Sequence, residues 1–202
     1  TARIAKATAA FGRLTKRLWT NRDIRLDTKI GVYRAAVVTS LLFGCEAWTL
    51  KKAHIVRLEK FHQKTLRRIA RIRWFDKVTN YQVLDRCNIP SLQSMIESAQ
   101  LRWCGHVVRM KDDRIPKALL YGRLTSGSST RGNHSTYLNS IKSTLRACKI
   151  PCDRLEALAS KRDSWRTVYK AGIARAEEDR TNRLTDKRDK RKARADLARH
   201  QT

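Results

Sequence analysis

Leu92, Met95, Ile96, Ala99, Trp103, Val107 and Met110 recur at steps of three and four, the spacing that aligns side chains on one face of an α-helix. A strand cannot use that period, because its side chains change face at every residue. The same step places Ile4, Ala7, Phe11, Leu14 and Leu18 on one stripe, and Arg3, Lys6, Arg13 and Arg17 on a cationic stripe beside it. Three prolines and eight glycines in 202 residues are far too few for a turn-rich sandwich or barrel. The chain is therefore expected to be all-α: an irregular bundle of about six helices, a Gly/Ser-rich linker, then a thinner helical C-terminal segment with a charged tail.

Local signals divide the chain. Asp27 or Thr28 is a plausible N-cap for a helix carrying Ile30, Tyr33, Val37, Val38 and Leu41, apolar nearly all round and stopping near Gly44. A third helix is expected over 53–72, with Leu58, Phe61, His62, Leu66 and Ile69 inward and Arg57, Lys60, Lys64, Arg67, Arg68 and Arg71 outward. Thr79 caps a short helix, Ser91 after Pro90 opens the long one, and another short helix covers 115–121. The expected organisation is thumb-like helices at 1–50, a basic helical subdomain at 51–121, a linker at 122–136, a small helical segment at 137–174 and a charged helical or disordered tail at 175–202.

Composition then narrows the function. Lys and Arg number 45 against 18 Asp and Glu, a net charge of +27. Such a surplus repels itself unless a polyanion is near, so nucleic acid is the first partner to consider. The conspicuous uncharged run Ala35–Cys45 is shorter than the roughly 20 residues a bilayer span needs, so no membrane partner is expected. Five scattered cysteines fit reduced thiols and an intracellular setting. The basic run from Lys187 to Arg194 fits a nuclear one. The first residue is Thr1, not Met, which suggests a piece of a longer protein.

Candidate chemistry is sparse. Met110-Lys111-Asp112-Asp113 looks like a polymerase metal motif, but that motif needs a tight hairpin and a further Asp on a neighbouring strand. Here the pair follows a regular helix and precedes Pro116, where helix-end carboxylates are the expected reading. Cys104-Gly105-His106 and Cys148 with Cys152 have zinc-like spacing within each pair, yet the pairs stand far apart, so buried thiols are expected instead. No nucleophile elbow and no phosphate-cradling glycine loop is present. Catalytic residues, metal and cofactor are all expected to be none. The basic surface remains: Arg67, Arg68, Arg71 and Arg73 lead into Trp74, placing guanidinium forks beside a stackable ring. Arg102 and Arg109 share one face of their helix and extend the patch, while Trp103 is expected in the core.

Several blocks carry a family resemblance. Thr28-Lys29-Ile30 with Val32-Tyr33-Arg34-Ala35, running into Leu41-Leu42-Phe43-Gly44-Cys45-Glu46-Ala47-Trp48, resembles the segment just past the palm in reverse transcriptases of non-LTR (LINE-type) retrotransposons. Leu58-Glu59-Lys60-Phe61-His62-Gln63, Trp74 with Asp76 and Val78-Thr79-Asn80, and Gln100-Leu101-Arg102-Trp103-Cys104-Gly105-His106 are similar again. The likeness covers 1–120 well and 121–175 loosely. It implies a thumb over about the first quarter of the chain and a C-terminal extension that holds RNA or target DNA. The catalytic palm and the endonuclease of such an RNA-directed DNA polymerase would lie outside this sequence. In the linker Arg131, Gly132 and Tyr137 fit the family pattern, whereas His134 stands where a Pro is usual.

The expectation is thus a non-catalytic reverse transcriptase fragment whose partners are RNA or DNA and the missing palm and endonuclease. Its contacts are assigned to Arg13, Arg17, Arg57, Lys60, Lys64, Arg67, Arg68, Arg71, Arg73, Trp74, Arg102 and Arg109. Two alternatives stay open: a translated retroelement remnant without independent function, and a metal-dependent polymerase or nuclease using Asp112 and Asp113.

Overall fold

The structure, a computed structural model, describes residues 2–121 and 137–200. The expected linker at 122–136 lies outside them. Among the described residues the chain is all-α, with ten α-helices and no strand. In order these are α1 (Ala2–Arg13), α2 (Leu26–Val32), α3 (Thr39–Leu42), α4 (Lys52–Ile69), α5 (Asn80–Arg86), α6 (Leu92–Val108), α7 (Ile115–Tyr121), α8 (Tyr137–Ala147), α9 (Leu155–Ser160) and α10 (Arg162–His200). No helix among them is long and apolar enough to cross a membrane.

Two apolar cores meet along α6. The first gathers Phe11, Trp19, Tyr33, Val37, Leu41, Leu66 and Ile96 from α1 to α6. Val37 and Leu41 are fully buried there, between α1 and the α2–α3 rod. The second begins at Leu101 and adds Cys104, Ile141, Leu145, Cys148, Trp165, Tyr169 and Ile173. The packing therefore divides inside a helix, between Ile96 and Leu101, so the 51–121 segment contributes to both cores.

Several local expectations change. The stripe that continues to Leu18 leaves α-geometry after Arg13: Thr15–Trp19 is π-helical, and its widened turn lets Trp19 stack on Phe11 at 5.0 Å while donating its indole N–H to the Phe11 carbonyl at 2.8 Å. Neither Asp27 nor Thr28 caps α2, which starts at Leu26 behind an extended Arg25. Asp27 lies in the first turn instead, where a carboxylate meets the positive end of the helix dipole. A second π stretch, Tyr33–Val38, joins α2 to α3 and keeps Tyr33, Val37, Val38 and Leu41 all inward. Gly44, at φ 73°, stops the chain where the sequence suggested.

Three helices end alike. Arg71, Asn88 and Lys149 take left-handed φ angles of 56°, 44° and 56°. Each is followed by a buried isoleucine, Ile72, Ile89 or Ile150, whose N–H reaches back to the carbonyl of Arg67, Leu84 or Leu145 at 2.9–3.1 Å. That is the Schellman arrangement, in which the hydrophobic residue beyond the turn anchors the helix end.

α10 joins the two cores. Trp165, Tyr169, Ile173 and Ala176 form its buried stripe, and Arg180 grips both carboxylate oxygens of Glu97 at 3.0 Å and the Ser94 hydroxyl at 2.7 Å. The segment after residue 174, expected to pack little, is thus held as far as Thr185; the described side chains beyond it are exposed. Trp165 donates its indole N–H to the Leu101 carbonyl at 2.9 Å and lies so close to α6 that a Cβ on Gly105 would meet Nε1 at 2.1 Å. Gly105→Ala is therefore expected to cost about 1–3 kcal/mol, because a buried, hydrogen-bonded indole cannot swing aside. Urea denaturation reads this, and a stability equal to wild type would show that the two helices can separate.

A buried polar network ties α2 to α4. His62, 0% exposed, accepts at Nδ1 from the Tyr33 hydroxyl at 2.8 Å. Its Nε2 faces the Pro90 carbonyl at 3.3 Å; a carbonyl only accepts, so Nε2 carries a proton, and burial, which favours the neutral ring, leaves Nδ1 as the acceptor. Burial pushes the His62 pKa down from 6.5 to about 4. The unfolded chain then binds the extra proton first, so this stability is present above pH 6.5 and is lost as pH falls toward 4. The loss is about 3 kcal/mol by linkage. Chemical denaturation of wild type and His62→Gln at several pH values checks it: the difference between them should shrink across that window, and a constant difference would contradict a buried neutral ring.

Candidate nucleic-acid interface

α4 presents two opposite faces. Leu58, His62, Leu66 and Ile69 are buried, while Arg57, Lys60, Lys64 and Arg68, at helical steps of three and four, share the exposed side. The Schellman turn at Arg71 then throws the chain off the end of the helix toward Arg73 and Trp74. This end is fastened to the α1 region. Arg68 lies over the Phe11 ring at 5.5 Å, and Arg71 donates to the Thr20 carbonyl at 2.8 Å. Arg13 and Arg17 are both exposed, two residues beyond Phe11 and three before Thr20.

Trp74 is 90% exposed, although a large ring gains most by burial. It makes an edge-to-face contact with Phe75 at 5.9 Å, and Arg73 stands over the Phe75 ring at 5.8 Å. Asp76 accepts the Arg73 backbone N–H at 2.7 Å and fixes this aromatic turn. Arg67 is drawn away from the patch: it donates to the Val78 carbonyl at 2.8 Å and the Asn80 side chain at 2.9 Å, locking the approach to α5.

Arg102 and Arg109 do share a face of α6, but they line a separate groove on the second core. Two adjoining hollows there, of about 410 and 310 Å³, have Arg102, Arg109 and Arg162 in common. Trp103, expected in the core, is half-buried at the rim because α6 turns its Leu101 and Cys104 side to the second core. Its ring meets His106 at 5.3 Å. Arg166 and Lys170 complete the opposite wall. These α10 cations fall on an i, i+4, i+8 row that is visible in the sequence, but only the packing of Trp165 on Gly105 brings that row to Arg102.

The other candidates have ordinary settings. Asp112 is exposed and paired with Lys117 at 2.7 Å, which holds its carboxyl below the usual range through hydrogen bonding and charge. Cys104 and Cys148 are buried, and burial raises each thiol to about 11; Cys152 is exposed. Among the described residues no three metal-ligating side chains come together. None of the arginines and lysines assigned to the interface forms a salt bridge to a described acid.

Compared with protein-family models, with curated proteins and with solved structures, the chain has no match. The site must therefore be judged on its own geometry. Trp74→Ala should leave stability within about 0.5 kcal/mol of wild type, since the ring is already in water. It should weaken binding of a DNA duplex carrying a short single-stranded overhang about five-fold or more, the lower end of what one stacked base contributes, and leave a blunt duplex unchanged. Fluorescence anisotropy measures this, and an unchanged affinity would leave Trp74 without a base to stack.

Proposed function

We propose that this chain is the non-catalytic C-terminal part of a non-LTR retrotransposon reverse transcriptase and binds RNA or DNA through phosphate contacts. The observation that carries the binding is the α4 row of Arg57, Lys60, Lys64 and Arg68, exposed on one face, matched by no acid and ending beside an exposed Trp74. Like charges aligned at helical spacing oppose the helix that carries them. A polyanion reverses that sign, and released counterions then drive the association.

Sequence resemblance supports the retroelement origin; the phosphate chemistry stands on the charges alone. Phosphate contacts position a strand without reading bases, so both RNA and DNA fit this surface. The palm and endonuclease would supply the catalysis in the parent protein, with this part gripping the substrate and the C-terminal cations favouring a nuclear setting.

Binding to a DNA duplex between roughly 50 and 200 mM salt tests the reading, with a slope of about −0.9 in log K per phosphate neutralised. Lys60→Gln/Lys64→Gln should reduce the magnitude of that slope by about two and weaken binding uniformly across sequences. A flat salt dependence, or no binding at low salt, would sink it. Metal-dependent primer extension or nicking that is lost on Asp113→Ala would replace it with an enzyme.

A further inference from the structure

We infer that the groove between α6 and α10 is a clamp for single-stranded nucleic acid, distinct from the α4 surface. Arg102 and Arg109 form one wall, Arg162, Arg166 and Lys170 the other, and Trp103 offers its ring at the rim. This deepens the nucleic-acid reading above and rests on it.

The groove owes its form to one close contact between the two helices. Trp165 seated on Gly105 fixes α10 against α6, so the two basic rows face one opening. The two hollows between these rows hold about 410 and 310 Å³, room for part of one strand, whereas a double helix could only lie across their mouths. Arg102 to Arg109 spans about 10 Å along α6, and Arg162 to Lys170 about 12 Å along α10. A stacked strand sets its phosphates about 3.4 Å apart along the axis, so these walls match about three of them.

The chemistry of the lining agrees. Among the described residues Arg109 has an acceptor, the Ala159 carbonyl at 2.7 Å, a bond that also holds α9 beside the groove, and the other four cations have none. Arg162 opens α10, and the positive end of that helix dipole adds to the field. Glu46 is the acid that lines the opening, and Asp163 is exposed in the first turn of α10; these leave a strong positive excess. Arginine forks suit phosphate oxygens, and a half-buried indole lining the hollow suits an unpaired base.

The decisive comparison uses the full chain, a short thymidine oligomer and a blunt DNA duplex as probes, at low salt. Arg162→Glu/Arg166→Glu should weaken the oligomer about ten-fold or more and the duplex less than about two-fold. A charge-matched control, Lys142→Glu/Arg146→Glu, should change both probes by one factor, because these exposed α8 cations belong neither to the groove nor to the α4 row. Arg102→Gln, a neutral change on the facing wall, should weaken the oligomer selectively and keeps the comparison decisive should the double reversal fail to fold. If the groove variants lower both probes equally, or neither, the clamp is overturned while the α4 reading stands. If the wild-type chain binds neither probe, both are overturned.

Discussion

The indole of Trp165 lies where a side chain at position 105 would have to be, and the rest of the architecture depends on that exclusion. Because residue 105 is Gly, α10 can reach the α6 backbone and donate to the Leu101 carbonyl, which commits Tyr169, Ile173 and Ala176 to the same seam. α6 is then packed on most of its circumference, with Leu92 and Ile96 in one core and Leu101, Cys104 and Val107 in the other. A helix in that position couples two cores that would each be small alone, since small cores bury too little surface to offset chain entropy. The charge on α10 is set in register by the same contact.

Charge is distributed by a simple economy. Three carboxylates hold helices together. Glu59 accepts the Gln93 N–H at 2.8 Å, Glu177 accepts the Ser91 N–H at 2.9 Å, and Glu97 takes Arg180, so three carboxylates join α4, α6 and α10. Burial raises the pKa of Glu59, the cost of placing a carboxylate where it can bond a helix start. Most of the other acids are exposed, Asp23, Asp85, Asp113 and Asp163 among them, but 18 acids against 45 bases leave the outward cations largely without neutralising partners. The net charge of +27 is thus concentrated on the surface rather than averaged through the fold.

The helical class was legible because apolar spacing reports it directly, and Gly44 and Ser91 mark their helix boundaries by local chemistry. What the pattern could not convey was the second face of α6. The row through Leu92, Ile96 and Val107 reads as one buried stripe, yet Gln100, Glu97 and Ser94 are buried too, because their polar atoms find partners on other elements. Polarity hides burial whenever tertiary bonds satisfy it. Trp103 shows the converse: it belongs to the stripe but falls where neither core closes over it. The α4 row could be read from one helix, whereas the α6–α10 groove needed two helices distant in sequence. The π stretches have no composition signal; they follow from seating Trp19 and Tyr33.

A sequence also cannot say which arginines are already occupied. Arg67, Arg71 and Arg109 each hold a backbone carbonyl, those of Val78, Thr20 and Ala159. Removing any of them would loosen a loop or a helix end as well as subtract a charge. Arg57, Lys60, Lys64, Arg102 and Arg166 hold no carbonyl among the described residues, so on the proposed nucleic-acid reading their loss would register in binding without registering in stability. A guanidinium has five donors, however, and one carbonyl bond leaves it free to meet a phosphate. Arg71 and Arg109 can therefore do both, and each stands where a structural bond fixes its fork in advance. A donor already held in place loses less entropy when a strand arrives, which favours these positions over the mobile lysines as the first points of contact.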